Sequence, residues 1–421
     1  MIIKTRFLSL LVLLMTAATG AWAQEPATTY TVNLNDGTKN PTTWTGKAGD
    51  ATQFGALPLE GVIEGQTVTL KYSGTREVKS IKATSDAQPA ANIVDLSKLT
   101  ENTELKNGEV LTGTLGANVK ISIADGATVT LDGVSINAEG TWTSGNYAGI
   151  TCIGDATIIL SGTNTVKGFF QTYPGIYVPE NKTVTIQGIG SLTASSSDIS
   201  AVGGAGIGSG YQLACGNITI MGGSITAMGC SGAAGIGSGS KGSCGNITIM
   251  GGTINASADN GAAGIGSGNN GSFCGNITIT GGNITATGGT NAAGIGSGNN
   301  TSCGNITITG GTINANGGNQ AAGIGSGYAA NNKTASCGTI TITTGVTKVT
   351  ATKGNSAPNS IGVGKTGINN ATNTCGTVTI GCTLDTNGNP VGGTKYWENN
   401  AAVNGGDTYL ATSPLEYQPS N

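Results

Sequence analysis

The chain has 421 residues, of which 73 are glycine, 9 are cysteine and none is histidine, and its formal net charge is −3. Without histidine, Ser-His-Asp and Cys-His nucleophile systems, His-ligated zinc and the commonest general base are excluded. The mildly acidic charge argues against nucleic acid as a partner, because nucleic acid binds basic stripes.

Residues 1–23 predict a secretory signal peptide. Lys4 and Arg6 give a basic start, residues 7–15 are an apolar run, and Ala21 to Ala23 form a small-residue cleavage site. The apolar run is too short to span a bilayer, and no later segment has 18 or more consecutive apolar residues. We therefore expect an exported chain at the cell surface, in the extracellular space or in the periplasm, without membrane insertion after signal removal.

Residues 24–91 predict a small N-terminal β-domain. Residues 67–72 and 77–83 alternate apolar and polar side chains, which is typical of half-buried strands. Residues 73–76 between them favour a turn. The pattern predicts that these two strands pair as a hairpin.

Residues 92–385 carry a repeat in which AGIGSG is followed by CGNITI and then by TINA. Successive anchor isoleucines are 29, 29, 30 and 29 residues apart, at Ile207, Ile236, Ile265, Ile295 and Ile324. This period, without a helical pattern, predicts coils that stack on their own copies. We expect an all-β fold, a right-handed parallel β-helix of about nine coils with three strands per coil. Residues 386–421 depart from the repeat and predict a C-terminal cap.

The glycine content raises one alternative for this region, a disordered glycine-rich tract. The isoleucines argue against it, since they recur in register and alternate strictly with polar residues. Disordered tracts have no physical reason to keep such alternation.

Three stretches resemble a known family: ADGATVTLDGVSINA at residues 124–138, the AGIGSG and CGNITI coils, and TGVTKVTATKG at residues 344–354. They are similar to secreted bacterial right-handed parallel β-helix repeat proteins, which are pectate-lyase-like in shape and often described as carbohydrate-binding. The resemblance covers about residue 92 to the C-terminus. It implies the β-helix architecture and, less specifically, a carbohydrate ligand.

Six cysteines precede the NITI-type strand in successive coils and should form a stack: Cys215, Cys244, Cys274, Cys303, Cys337 and Cys375. An exported protein can form disulfides. However, in-register neighbours lie about 4.8 Å apart, whereas a disulfide favours Cβ atoms about 3.8 Å apart. Buried thiols are therefore favoured, and disulfides remain the alternative.

Few residues suggest metal or acid–base chemistry. Asp125, Asp155 and Glu180 could hold Ca²⁺ if their turns stack, or could be ordinary solvated turn residues. No other cofactor or metal site is predicted. Glycoside hydrolysis needs two close carboxyl groups, and the regular strands carry no such pair.

Two surfaces are candidates for ligand binding. The first is an outward row on the NITI strands, Thr219, Thr248, Thr278 and Thr307, flanked by Asn217, Asn246, Asn276 and Asn305. Only Lys241 and Asp259 are charged between residues 201 and 332, so the row would suit a neutral polymer such as a polysaccharide, or ice. The alternative is structural, because threonine favours exposed strands and asparagine ladders support stacked coils.

The second surface is aromatic. Two early corner loops, TWTSGNYAGI and GFFQTYPGIY, supply the candidate carbohydrate-binding residues Trp142, Tyr147, Phe169, Phe170, Tyr173 and Tyr177. Tyr147 and Tyr173 each lie three residues before an aligned isoleucine, so we expect one above the other. Aromatic rings stack well on sugar rings. The alternative is that these rings pack within the protein.

The sequence therefore predicts an exported, non-catalytic β-helix that binds a polysaccharide or a host or bacterial surface glycan, or mediates surface adhesion. Two alternatives remain open. One is a structural surface rod or spacer without a ligand of its own. The other is a carboxylate-dependent polysaccharide lyase or hydrolase.

Overall fold

The computed structural model of the protein describes residues 92–419, except 117, 138–146, 171 and 197–202, together with the backbone of five strands before residue 92. The predicted signal peptide and Trp142 lie outside the described residues. The chain divides into two compact units, Met1–Ala91 and Asn92–Asn421.

The first unit contains antiparallel strands. Thr28–Asn35 lies between Thr42–Lys47 and Glu77–Ser85, and Pro58–Ile63 pairs with Gln66–Lys71. The predicted hairpin is therefore wrong in its partners, although both of its strands are present. Two residues separate Pro58–Ile63 from Gln66–Lys71, which is the commonest hairpin loop length and favours that pairing over the predicted one.

The second unit is a parallel β-helix. Its first face is the parallel sheet built from the NITI strands and their equivalents. These strands are Asn92–Asp95, Glu109–Thr114, Ala127–Ile136, Ala156–Ser161, Thr183–Gly188, Asn217–Ile220, Ile247–Ile249, Ile277–Ile279, Ile306–Ile308, Ile340–Thr343 and Val378–Leu384. The two earliest strands add to the nine predicted, because their sequences, NIVD and EVLTGT, lack the NITI pattern. Ten spacings of about 4.8 Å make the sheet about 48 Å long.

The second face follows in each coil after a glycine corner. Its strands are the end of Ala127–Ile136 and then Thr163–Lys167, Ser191–Ser195, Ser224–Met228, Thr253–Ser257, Asn283–Thr287, Thr312–Asn316 and Lys348–Thr352. Ala127–Ile136 runs through the corner and contributes to both faces.

The third face is a parallel sheet of ten short strands. They are Thr103–Leu105, Ile121–Ile123, Ile150–Cys152, Ile176–Tyr177, Ile207–Gly208, Ile236–Gly237, Ile265–Gly266, Ile295–Gly296, Ile324–Gly325 and Ile361–Gly362. The prediction of three strands per coil is confirmed. The later coils add a short fourth strand at Ser243–Cys244, Phe273–Cys274, Ser302–Cys303, Thr334–Cys337 and Thr372–Cys375.

Identical side chains from successive coils form the core. On the first face Ile218, Ile247, Ile277, Ile306 and Ile340 pair in register and are fully buried. The second face contributes alternating isoleucine and alanine, and the third face one isoleucine per coil. Each coil therefore buries its apolar side chains against its own sheets and against the coils on either side.

A polar column also runs through the interior. Ser209, Ser238, Ser267, Ser297 and Ser326 are fully buried, and each hydroxyl oxygen accepts a hydrogen bond from a glycine N–H of the next coil at 2.7–3.1 Å. A buried backbone N–H without a partner is costly, so this column satisfies groups that the short third-face strands leave unpaired.

Antiparallel strands end the parallel stack. Thr394–Glu398 pairs with Val378–Leu384, and Leu415–Tyr417 pairs with Lys348–Thr352. Pro390–Val391, Ala401–Ala402 and the short helix Gly406–Tyr409 complete this region. The Tyr396 and Tyr409 rings stack with centroids 4.1 Å apart, and burial raises the pKa of Tyr409 to about 12.

The third-face glycines hold neighbouring coils close together. Gly266 has a φ of +138°, and a Cβ atom there would overlap the carbonyl oxygen of Gly296 in the next coil. A side chain at residue 266 would therefore be disfavoured both by the positive φ and by a steric clash with the neighbouring coil.

We predict that Gly266→Ala lowers the free energy of unfolding by at least about 3 kcal/mol, because strain and backbone overlap add. Urea titration followed by circular dichroism measures the loss. The control is Gly116→Ala, since Gly116 has ordinary φ and open space around its Cα, and it should change stability by less than about 0.5 kcal/mol. Equal stability of the two variants would contradict this account of the third face.

Candidate functional site

The second face presents a regular array of small neutral side chains. In its four central strands, from residue 224 to residue 316, the outward positions are Ser224, Thr226, Met228, Thr253, Asn255, Ser257, Asn283, Thr285, Thr287, Thr312, Asn314 and Asn316. Eleven of these twelve are hydroxyl or amide side chains, and none is charged. They lie about 6.6 Å apart along a strand and about 4.8 Å apart between coils.

The middle column of this array continues beyond the central coils. Its eight residues pair in register and all carry a hydroxyl or an amide: Ser135, Thr165, Thr193, Thr226, Asn255, Thr285, Asn314 and Thr350. Within the described part of the chain, none of these eight side chains has a hydrogen-bond partner. Their donors and acceptors therefore face solvent and are free to meet a ligand.

The first face differs, because its asparagine side chains are hydrogen-bonded to the neighbouring coil. The side-chain oxygens of Asn217, Asn246 and Asn276 accept the backbone N–H of the aligned asparagine in the next coil at 2.8–2.9 Å, and that of Asn305 accepts the N–H of Thr339. This supports the structural interpretation of the asparagine ladder. The flanking asparagines of the predicted first-face surface thus serve coil stacking.

The first-face threonines do form a continuous column. Nine residues pair in register: Thr128, Thr157, Thr185, Thr219, Thr248, Thr278, Thr307, Thr341 and Thr379. Thr341 and Thr379 are buried, each 4% exposed. Beside the column, Met221 and Met250 expose their thioethers. The first face therefore offers a single column of hydroxyls, whereas the second face offers three columns.

The aromatic loops connect the second face to the third face. Phe169 is 3% exposed and belongs to the core. Its ring packs on Tyr147 with centroids 4.6 Å apart and planes tilted by 52°. The ring contact that the structure gives Tyr147 is with Phe169, and the expectation that Tyr147 lies over Tyr173 stays a prediction. Burial raises the pKa of Tyr147.

The remaining aromatic residues separate into two positions. Phe170 and Tyr173 stay in the corner loop, partly exposed, and the Tyr173 N–H donates to the Phe170 carbonyl at 2.9 Å. Tyr177 lies beyond the corner on the third face, and its hydroxyl donates to the Ala214 carbonyl at 3.2 Å. Burial raises the pKa of Tyr177. Of the predicted aromatic residues that the structure describes, Tyr147, Phe170 and Tyr173 are thus partly exposed in the corner loops.

The acidic cluster is arranged around a lysine. The Asp125 carboxylate accepts the Asp155 N–H at 2.8 Å, and the Lys182 ammonium lies 3.2 Å from Asp125 and 3.9 Å from Asp155. The Asp155 hydrogen bond and Lys182 together lower the pKa of Asp125. Glu180 is exposed, and the described residues include no group of three or more metal-ligating side chains. Calcium binding here stays a prediction, and Lys182 occupies the place a cation would take.

The predicted cysteine column is present. Cys244 pairs in register with Cys274, Cys274 with Cys303, and Cys337 with Cys375. The eight described cysteines other than Cys230 are buried thiols. A hydrogen bond with Cys244, followed by burial, raises the pKa of Cys274 well above the ordinary thiol value, and burial does the same for Cys303.

The sequence analysis missed the second-face array. Its signal was available in the runs SITAM, TINAS, NITAT and TINAN, whose alternate positions are small and polar except for Met228. What the sequence could not show was that these side chains are unpartnered while the first-face asparagines are bonded.

Comparison with known proteins supports the fold. Four segments of the chain, residues 218–240, 247–269, 277–299 and 306–328, match the family model described as beta helix repeat. No curated protein and no solved structure matches the chain. Among the described residues, no helix has the length and apolar character needed to cross a membrane.

We predict that Asn276→Ala lowers the free energy of unfolding by about 1 kcal/mol, because the Asn305 N–H loses its acceptor. Asn276→Asp keeps an acceptor oxygen and should retain most of that stability. Thr278→Ala, on the same strand, should cost less than about 0.5 kcal/mol. Urea titrations of the three variants make the comparison, and equal losses for Asn276→Ala and Thr278→Ala would refute the assigned role of asparagine.

Proposed function

We propose that this protein is an exported, non-catalytic β-helix that binds a neutral polysaccharide or surface glycan along its second face, and that it mediates surface adhesion in this way. The observation that carries the proposal is the array of unpartnered hydroxyl and amide groups on that face. A polymer with regularly spaced hydroxyl groups can exchange hydrogen bonds with such an array over many coils.

Charge supports the choice of a neutral ligand. The four central second-face strands carry no charged side chain at an outward position. The two charges in the central coils lie elsewhere: Lys241 sits 5.7 Å from the centroid of the Tyr211 ring, and Asp259 follows the second-face strand Thr253–Ser257. An anionic polymer would gain little Coulomb attraction from this surface.

The aromatic corner supports a sugar ligand in particular. Tyr173 is partly exposed in the loop that follows the second-face strand Thr163–Lys167, so this loop borders the second face. Aromatic faces suit the apolar faces of sugar rings, while the flat array suits their hydroxyls. The Phe169 and Tyr147 rings pack against each other in the corner loops. Trp142 remains a predicted contact outside the described residues.

A structural rod or spacer is the second candidate function. It is favoured by the serine column and the asparagine ladder, which both serve stacking between coils. A rod needs stacking alone, however, and stacking does not account for outward side chains that bond to nothing in the protein. The two candidates therefore differ in whether the second face has a ligand.

The decisive experiment is a glycan array probed with the full chain, followed by a pull-down with the insoluble or immobilised polysaccharide that scores highest. We predict retention of at least one neutral polysaccharide. Thr226→Glu combined with Thr285→Glu should reduce retention at least tenfold, because buried carboxylates at the interface would lose hydration. Melting temperature should stay unchanged, since both positions are partly exposed.

The matched control is Thr219→Glu combined with Thr278→Glu, which places the same charges on the first face of the same coils. It should leave retention unchanged. If only the control variant lost retention, the ligand would be assigned to the first face. If the glycan array showed no bound glycan, the structural rod would be favoured. Incubation with neutral and acidic polysaccharides should yield no new reducing or unsaturated ends, whereas their appearance would favour the lyase or hydrolase alternative.

For the aromatic corner, we predict that Tyr173→Ala weakens retention about fivefold to tenfold without changing the melting temperature. The reason is that the contacts of one aromatic ring contribute on the order of 1 kcal/mol. Trp142→Ala should behave in the same way. Phe169→Ala is the contrasting variant, since removing a buried ring costs about 3–5 kcal/mol of stability. If Tyr173→Ala lowers the melting temperature as much as Phe169→Ala does, the corner is a packing element.

A further inference from the structure

The cysteine column contains one pair that differs from the rest. The Cys337 thiol points at Cys375, with the two sulfur atoms 2.9 Å apart. Thiols along the column also donate to backbone carbonyls, Cys244 to Gly216 at 3.6 Å, Cys274 to Gly245 at 3.9 Å and Cys375 to Gly338 at 3.6 Å. The thiols of Cys215, Cys244 and Cys274 also interact with one another, and the Cys337–Cys375 pair stands out by its sulfur–sulfur distance of 2.9 Å.

The backbone around this pair also differs. Cys337 and Cys375 end the strands Thr334–Cys337 and Thr372–Cys375, which pair in register over four residues. The equivalent strands that end at Cys244, Cys274 and Cys303 are two residues long. The longer pairing fixes the two cysteines side by side. Adjacent parallel strands about 4.8 Å apart lie within the Cα separations found in disulfides.

We propose that Cys337 and Cys375 form a disulfide in the mature protein, and that the other cysteines of the column remain thiols. Closing the bond requires the sulfur atoms to approach by about 0.9 Å, because an S–S bond is about 2.04 Å long. The bridge would join the last two coils. The strand Val378–Leu384, which pairs with the C-terminal antiparallel strands, begins three residues after Cys375.

The oxidant in this reaction is another disulfide, either oxidised glutathione or the disulfide of an oxidising protein. The thiolate of one cysteine attacks a sulfur of the donor and releases one donor thiol. The second cysteine then attacks the mixed disulfide and releases the other donor thiol. In total, two cysteine thiols lose two electrons and two protons, and the donor disulfide gains them.

Burial decides when the bond forms. Cys337 is 5% exposed and Cys375 is 4% exposed, and burial raises the pKa of the Cys337 thiol. Little thiolate is available once the coils have closed, since the thiolate is the reactive form. The bond therefore forms while the last coils fold. The folded, reduced protein should react slowly with the same oxidant.

The test is oxidative refolding of the full chain with reduced and oxidised glutathione, followed by alkylation in denaturant and intact mass measurement. We expect seven of the nine cysteines to be alkylated. Tryptic digestion should give a linked pair of peptides, residues 334–348 and 366–395. Because Cys375 and Cys382 share the second peptide, fragmentation must assign the linked sulfur to Cys375.

A thermal measurement completes the test. Oxidation should raise the melting temperature by several degrees, because the bridge closes a loop of about 38 residues. The gain should vanish in Cys337→Ala with Cys375→Ala and persist in the control pair Cys274→Ala with Cys303→Ala, which removes two equally buried thiols. Nine alkylated cysteines after oxidative refolding, or a link between any other two cysteines, would overturn the proposal.

Discussion

The whole β-helix depends on register between successive coils. Each residue on a face lies against the equivalent residue of the next coil, so every position of the repeat becomes a column. The Ile324–Ile361 pair shows how strictly this holds, since 37 residues separate them and they still pair. Longer loops absorb the extra residues at the corners. Isoleucine, serine, cysteine and asparagine each satisfy a different requirement of stacking, for apolar burial or for hydrogen bonds between coils.

The interior side chains and the asparagine ladder hold the coils together, so the outward side chains of the second face are not needed for stacking. Its strands need only to alternate, with isoleucine and alanine inward and small polar groups outward. In the four central strands the outward groups carry no charge and keep their hydrogen-bonding capacity. Stability and the proposed ligand binding thus use opposite sides of the same strands. The proposed glycan site could change its outward residues without disturbing the core beneath it.

Much of this architecture could be predicted from the sequence, because inward positions carry a strong periodic signal. The isoleucine columns, the three faces and the cysteine column all follow from it. The rungs at Asn92–Asp95 and Glu109–Thr114 were missed because stacking needs only inward apolar residues there, not the NITI pattern. The contact between the Tyr147 and Phe169 rings was not predicted, because the repeat alignment relates Tyr147 to Tyr173 and not to Phe169. Right-handedness and glycan binding stay predictions. Which outward polar groups are bonded depends on side-chain direction, which periodicity does not encode.

The antiparallel strands after Leu384 have a consequence for assembly. A parallel β-helix whose last coil has unpaired strand edges can pair those edges with the first coil of another copy. Copies added head to tail in this way would form an open filament. Leu415–Tyr417 and Thr394–Glu398 cover the last second-face and first-face strands with chain of opposite direction. At this terminus an incoming coil finds neither the spacing nor the polarity it needs. The rod is thereby kept to a finite number of turns.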